Sequence, residues 1–405
     1  MFEIKGKYGI AKVFTDVIEE SAIEQIQTLC NQSFVKNSKI RIMPDVHRGK
    51  GSVIGFTAEL KDKIIPNIVG VDIGCGMLCV ELQKMNIDFE MLDDIIKTKV
   101  PSGRLVHKSR KVRFDELQDL YCYRYLKDTK RIERSIGTLG GGNHFIEIDQ
   151  DDEGNKYLII HTGSRHLGKQ VAEHYQNLAF DLLSGKDELY IQQEKIIHDY
   201  KEQGRRQDIQ SAIEQLHKDF QANKINIPKD LCYLEGQYKE YYLHDMYICQ
   251  KYASINRQTI ANIILEHLCQ FSLNDFYSFE TIHNYIDPIS HIIRKGAVSA
   301  TLNERLLIPM NMRDGSLICI GKGNPDWNDS APHGAGRLYS RMHAKETFTI
   351  KEFQQSMEGI YTTSIHESTL DECPMAYKSM KDIICHIDDT VTIKKMIKPI
   401  YNYKA

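Results

Sequence analysis

The chain has 405 residues, enough to bury a substantial core as one large domain or two ordinary ones. Hydrophobic residues make up 41%, charged residues 26% and aromatic residues 9%, the balance of a soluble globular protein. A formal net charge of −3 excludes a globally basic nucleic-acid-binding surface, so any phosphate recognition must be local.

Ten cysteines are scattered over the whole length. Met1-Phe2-Glu3-Ile4-Lys5-Gly6 is not a secretory signal, and no apolar run approaches the roughly 20 residues of a membrane span. These features predict a cytoplasmic protein with free thiols, one of which could do chemistry as a thiolate.

Short apolar runs alternate with glycine in the first part of the chain. Ile40-Arg41-Ile42-Met43-Pro44-Asp45-Val46-His47 reads as a strand ending in polar residues, and Asn67 to Met77 has the same texture, continued by Leu78-Cys79-Val80-Glu81-Leu82. Gly140-Gly141-Gly142-Asn143-His144 leads into the strand-like Phe145-Ile146-Glu147-Ile148. Tyr157-Leu158-Ile159-Ile160-His161-Thr162-Gly163-Ser164-Arg165-His166 reads as a strand with a polar end. Such glycine-framed strand ends are where sheet proteins place sites.

The middle changes character. Val171, Tyr175, Leu178, Ala179, Leu182 and Leu183 follow a 3.6-residue period, as do Ile209, Ala212, Ile213, Leu216 and Phe220. The pattern predicts helices from about 168 to 271, with a break near Asn226-Ile227-Pro228, as a helical subdomain or insertion. Strand texture returns at Phe279–Tyr285, Leu306–Pro309 and Leu317–Ile320, and the part from about 376 reads as helix running into Pro399-Ile400-Tyr401-Asn402-Tyr403-Lys404. The fold class is α+β, mixed sheets with surrounding helices, expected as one domain over 1–405.

Most of the chemistry-bearing residues sit in the glycine-rich stretches. Asp72 and Cys75, in Asp-Ile-Gly-Cys-Gly, offer a hard oxygen and a soft sulfur, and His144, His161 and His283 offer imidazoles. Five such groups exceed one tetrahedral site and would suit two metals sharing a bridging thiolate. Taken singly, Cys75 reads equally as a small buried thiol and each histidine as a satisfied hydrogen-bonding residue. Ala331-Pro332-His333-Gly334-Ala335-Gly336-Arg337 presents one imidazole in a turn of small residues, suited to a nucleophile, a metal ligand or a proton shuttle. Asp45 could orient a histidine by accepting its Nδ1 proton. Arg165 and Arg337 offer planar forks for phosphate, or surface charge; His47 and Arg48 rank lower. Neither a Walker A pattern nor a Rossmann fingerprint is present.

Six motifs in order carry a resemblance: Met-Pro-Asp-Val-His-Arg-Gly-Lys-Gly, Val-Gly-Val-Asp-Ile-Gly-Cys-Gly-Met, Gly-Gly-Gly-Asn-His-Phe-Ile-Glu, His-Thr-Gly-Ser-Arg-His-Leu-Gly, His-Asn-Tyr and His-Gly-Ala-Gly-Arg. Running from residue 43 to 337, this set resembles the RtcB family of GTP-dependent RNA ligases. The resemblance implies joining of an RNA 3′-phosphate, or a 2′,3′-cyclic phosphate opened first, to a 5′-hydroxyl, in tRNA splicing or RNA repair. It implies His333 as the nucleophile that becomes guanylylated and Asp45 as the carboxylate orienting it. Asp72, Cys75, His144, His161 and His283 match the family's ligands for two Mn²⁺ ions. Asn143 matches a phosphate contact, and Phe145, Glu147, Tyr377 and Lys404 match guanine contacts. Gly334, Ala335 and Gly336 fall in the nucleotide-binding turn. Pro309-Met310-Asn311-Met312-Arg313-Asp314-Gly315-Ser316 departs from the family's small-residue loop there. RNA ends are the implied partner, an archease-type activator is allowed, and a monomer is expected. Two other readings fit the residues: a binuclear-metal phosphodiesterase or phosphatase acting on RNA ends, and a non-catalytic RNA-end-binding protein.

Overall fold

Strands of this chain pair mostly with partners distant in sequence, and the site sits where those pairings converge. The computed structural model describes residues 1–59, 61–220 and 225–404. One six-stranded sheet runs in the order Phe2–Lys5, Ile10–Val13, Ile40–His47, Ile54–Glu59, Ile292–Lys295, Tyr285–Ile286. A second sheet runs Arg305–Asn311, Gly315–Gly321, Val391–Lys404, Phe145–Gln150, Lys156–Thr162, Gly76–Gln83, Ser278–Ile282, with Tyr361–Thr362 parallel to the Val391–Lys404 strand. A two-stranded ladder, Ala297–Ser299 with Ser330–Pro332, lies beside them.

The helical middle comprises Arg165–Leu183, Lys186–Glu202, Ile209–Asp219 and Gly236–Cys269. The break near Asn226-Ile227-Pro228 falls between the last two, and residues 221–224 within it lie outside the described residues. The 34-residue helix Gly236–Cys269 carries the apolar series Tyr242, Met246, Cys249, Tyr252, Ala253, Ile260, Ile264 and Leu265, all buried between the second sheet and the neighbouring helices. Among the described residues, no helix is long and apolar enough to cross a membrane.

Three sequence readings are corrected. Residues 67–75 are not strand: Pro66–Val69 is a short helix, with proline at its start, and Gly70 and Gly74 have φ of 106° and 69°. The strand begins only at Gly76. Arg165 and His166 open a helix rather than end a strand. The largest change is at the C-terminus, where helix is confined to Met380–Ile387 and Val391–Lys404 is a 14-residue strand. Its β-branched and aromatic residues, including Val391, Thr392, Ile393, Ile397, Ile400, Tyr401 and Tyr403, favour a pleated surface. Its first part pairs with Gly315–Gly321 and its second with Phe145–Gln150. The register shifts next to Pro399, which has no N–H to offer the ladder. This strand carries Lys404 to the end of the sheet beside Phe145.

Candidate functional site

A cavity of about 540 Å³ opens between the His333 turn, the Phe145–Gln150 strand and the C-terminal strand. Its wall includes Asn143, Phe145, Glu147, His161, His283, Pro309 to Met312, Tyr377 and Lys404, and the turn residues His333, Gly334, Ala335, Gly336 and Arg337. His47 and Arg48 also reach it.

At one end of the cavity, Nδ1 of His333 lies 2.5 Å from Oδ2 of Asp45, and the His333 backbone N–H donates to the same oxygen at 3.1 Å. Asp45 is fully buried, whereas 17% of the His333 side chain is exposed. The carboxylate fixes the ring and places the proton on Nδ1, leaving Nε2 as the free base. Gly336 makes this approach possible: its φ is 76°, and a Cβ there would lie 2.2 Å from the Asp45 carbonyl oxygen. The glycine of this turn thus packs against the orienting aspartate. Buried Lys378 holds the aspartate's strand from behind, donating to Val17 O, Pro44 O and Val46 O at 2.9, 2.8 and 3.2 Å.

Five candidate metal donors converge next to His333. They form two groups sharing Cys75: Cys75, His161 and His283, and Asp72, Cys75 and His144, with donor atoms in each group within 4.8 Å of one another. Cys75 Sγ lies 3.4 Å from His161 Nε2 and 3.6 Å from His144 Nε2, which is 3.0 Å from Asp72 Oδ2. The His283 ring lies 4.8 Å from that of His333, centroid to centroid. Nδ1 of His144 is 2.9 Å from Leu139 O and Nδ1 of His161 is 3.1 Å from Asn143 O. Each Nδ1–H therefore donates to a carbonyl and turns an Nε2 lone pair toward the thiol, the outer arrangement that metal-ligating histidines use. Burial, reinforced by neighbouring imidazoles, pushes His161 and His283 well below the usual histidine range, so both rings are neutral and able to ligate. A Cβ on Gly163 would lie 2.3 Å from Asp72 Oδ1, so glycine is what lets that carboxylate lie against the backbone. Thiol, imidazole and carboxylate in this arrangement fit a divalent transition metal.

Two residues that the sequence reading missed fix the loops carrying these donors. Asn256, on the long helix, accepts from Gly137 N and Thr138 N at 2.8 and 3.1 Å and donates to Thr138 O and Gly163 O at 3.1 and 3.2 Å. Arg257, fully buried, donates from Nη1 to Gly74 O and Thr162 O, both at 2.9 Å, and pairs with Glu280 at 3.1 Å. Their signal was a pair of adjacent polar residues set between the apolar Tyr252, Ala253, Ile260 and Ile264 of the helix.

The far end of the cavity is ionic, and its centre, Glu372, also escaped the sequence reading. Glu372 receives Lys404 Nζ at 2.7 Å, Arg341 Nη1 at 2.5 Å, Arg337 Nη1 at 3.2 Å and the Tyr377 hydroxyl at 2.5 Å. Burial works against its charge, but Lys404, Arg341 and Arg337 overcome it and pull the carboxyl down to about 2. Arg337 was expected to face phosphate. Its fork is instead occupied by Glu372, Tyr377 and the Tyr339 and Asp371 carbonyls. Glu147, across the cavity, behaves oppositely: burial pushes it up to about 7 against the pull of Lys404 and an Asn402 hydrogen bond. Arg165 lies outside the cavity wall, with Nη1 3.4 Å from His144 Nδ1 and Nη2 donating to Gly103 O at 3.3 Å. Asp72, Cys75 and His144 are likewise behind the wall.

A carboxylate-held imidazole and a buried donor cluster bordering one cavity form the constellation expected of an enzyme active site. The chain belongs to the tRNA-splicing ligase RtcB family, whose model matches residues 25–128 and 123–405. It is 28% identical to RNA-splicing ligase RtcB of Escherichia coli strain K12, over 96% of this chain and 95% of that one. It is 25% identical to tRNA-splicing ligase RtcB of Archaeoglobus fulgidus, over 94% and 90% respectively.

Replacing Asn256 by Leu would leave two buried N–H groups and two carbonyls without partners. The expected result is a loss of about 3 kcal/mol or more in chemical denaturation. Affinity for a divalent transition metal, read by titration calorimetry, should fall roughly ten- to a hundredfold.

Proposed function

We propose that this RNA ligase joins RNA 3′-phosphate or 2′,3′-cyclic phosphate ends to 5′-hydroxyl ends through a covalent histidine–GMP intermediate, with GTP as the guanylyl donor. The observation that carries the reading is the Asp45-held His333, open to the cavity and directly beside the His283 imidazole of the donor cluster. His333 Nε2 attacks the α-phosphorus of GTP; an N–P bond forms, the bond to the β-phosphate oxygen breaks and pyrophosphate leaves. Asp45 keeps the Nδ1 proton in place and stabilises the charge that the ring gains. An oxygen of the RNA 3′-phosphate then takes GMP from His333, and the N–P bond breaks. Attack of the 5′-hydroxyl on the RNA phosphorus makes the phosphodiester and expels GMP. A cyclic phosphate is first opened by water.

Asp72, Cys75, His144, His161 and His283 would hold two Mn²⁺ ions, Cys75 belonging to both donor groups. Bound there, the metal supplies positive charge to phosphate oxygens and makes an attacking hydroxyl more acidic. Phe145 offers a face for the base, and Glu147, Tyr377 and Lys404 offer polar edges for guanine. Asn143 contacts phosphate from the cavity side, and Arg165 does so from the Asp72–His144 side. Arg337 acts mainly through Glu372 and Tyr377. Met310 and Met312, in the divergent 309–316 segment, line the wall with apolar bulk. Every group comes from one chain, so a monomer suffices, and an archease-type activator would affect turnover without supplying a reacting group. All ten cysteines are free, which supports a reducing cytoplasm as the working compartment for tRNA splicing or RNA repair.

The test is an end-joining assay with GTP and Mn²⁺. The unmodified chain is expected to join a 3′-phosphate to a 5′-hydroxyl, and His333→Ala to abolish joining. If His333→Ala keeps full activity on RNA ends while Cys75→Ala loses it, the chain is a binuclear-metal phosphodiesterase and not a ligase.

Guanine donates through its N1–H and exocyclic amine, so it needs the ionised form of Glu147. With that carboxyl near pH 7, GTP affinity should rise roughly tenfold between pH 6 and pH 8 as the proton is lost. Glu147→Gln should bind weakly and equally at both. A wild-type affinity that is flat over this range would contradict the assignment.

A further inference from the structure

The ends of two RNA strands must reach the site, yet the cavity has one ionic end committed to Glu372 and overall charge is negative. The segment Arg104–Arg113 breaks that trend. Its ten residues carry five cationic side chains (Arg104, Lys108, Arg110, Lys111 and Arg113) and no carboxylate. Arg113 is held by Asp115 at 2.5 Å. The other four are exposed, and among the described residues no carboxylate lies within ion-pairing distance of them. Lys127, just before the helix Thr129–Glu133, and Lys130, within it, are exposed and, among the described residues, similarly free of carboxylate partners.

This loop has no regular secondary structure, but it is pinned to the site. Gly103 N–H donates to Gly140 O at 2.9 Å, and Leu139 N–H donates to Pro101 O at 3.0 Å. Buried His107 puts Nε2 2.9 Å from Gly137 O, and Arg131 donates to the Arg104 carbonyl. Residues 137–142 are the glycine loop that delivers Asn143 and His144, and Arg165 bonds Gly103 directly. The loop that carries the cations is therefore tied to the segment leading to Asn143, which lines the cavity, and to His144 of the donor cluster.

We infer that the exposed cations of Arg104–Lys111, with Lys127 and Lys130, form the docking track for the phosphodiester backbone of the RNA substrate. The inference rests on the ligase reading and adds where the polymer lies. A loop of ten residues can reach at most about 35 Å, enough to follow several phosphates. Unpaired Lys and Arg neutralise phosphates with release of counterions, whereas cations already paired to carboxylates gain little. Charge alone would also suit an acidic protein, but the pinning of this loop to the loop carrying Asn143 and His144 favours the substrate of that site.

The experiment measures binding of a single-stranded RNA of about twenty nucleotides with a 3′-phosphate, without GTP, over a series of salt concentrations. The triple variant Lys108→Ala/Arg110→Ala/Lys111→Ala is compared with Lys5→Ala/Lys7→Ala/Lys36→Ala, which removes equal charge from exposed positions elsewhere. The first is expected to bind at least tenfold more weakly at moderate salt, with the salt slope reduced by about 2, and to guanylylate His333 as the wild type does. The second should behave as wild type. Unchanged affinity and slope in the first variant, or an equal loss in the second, overturns the inference. A chain that loses RNA affinity in the first variant alone, yet never takes GMP on His333, keeps the docking track and fails the ligase reading.

Discussion

The active site depends on two adjacent side chains of one helix. Asn256 and Arg257 between them hold Gly137, Thr138, Gly163, Gly74 and Thr162 by their backbone groups. Gly74, Thr162 and Gly163 stand within two residues of Cys75 and His161, and Gly137 and Thr138 open the loop that leads to His144, so the clamp reaches donors from separate strands and loops. A donor cluster assembled from distant segments needs such a clamp, because loops alone could not keep a sulfur and several nitrogens within bonding range of shared ions. The helix is in turn fixed by apolar burial along its inner face, so packing energy is what positions the chemistry.

The electrostatics divide the cavity into two working ends. At the His333 end, charge is kept low: among the described residues Asp45 is the one carboxylate paired with the ring, and His161 and His283 are neutral. At the opposite end, two buried carboxyls have been pushed apart, Glu372 down by three cationic neighbours and Glu147 up by burial. Lys404 faces both. One permanently ionised group holds the cations in place, and one titrating group is left able to respond to a ligand. The C-terminal strand is essential to this division, because it carries Asn402 and Lys404 to their places.

Much of this was legible in the sequence, and the exceptions have physical reasons. The Ile40–His47 strand was read from end to end, because alternation and a following glycine are local signals. The Val391–Lys404 strand was misread, since its partners Gly315–Gly321 and Phe145–Gln150 are far away in sequence and only the pairing makes its pattern unambiguous. Asp72, Cys75, His144, His161 and His333 stood out because glycines lie close to them, His283 because it ends a strand-like run, and they do come together in space. Glu372, Asn256 and Arg257 did not stand out: their roles arise from convergence of segments that no spacing rule connects. Arg337 illustrates the converse, a residue in a conspicuous motif whose neighbours could not be foreseen, and which turns inward to Glu372 and Tyr377.

The central claim is that the Asp45–His333 pair makes a histidine nucleophile within reach of GTP. Its most direct measurement is the intact mass of the protein after incubation with GTP and Mn²⁺ in the absence of RNA, followed by peptide mapping. The account predicts a mass increase of one GMP, acid-labile, on the peptide containing His333, with loss of the adduct in His333→Ala. An unmodified protein, or an adduct on any other residue, would contradict it.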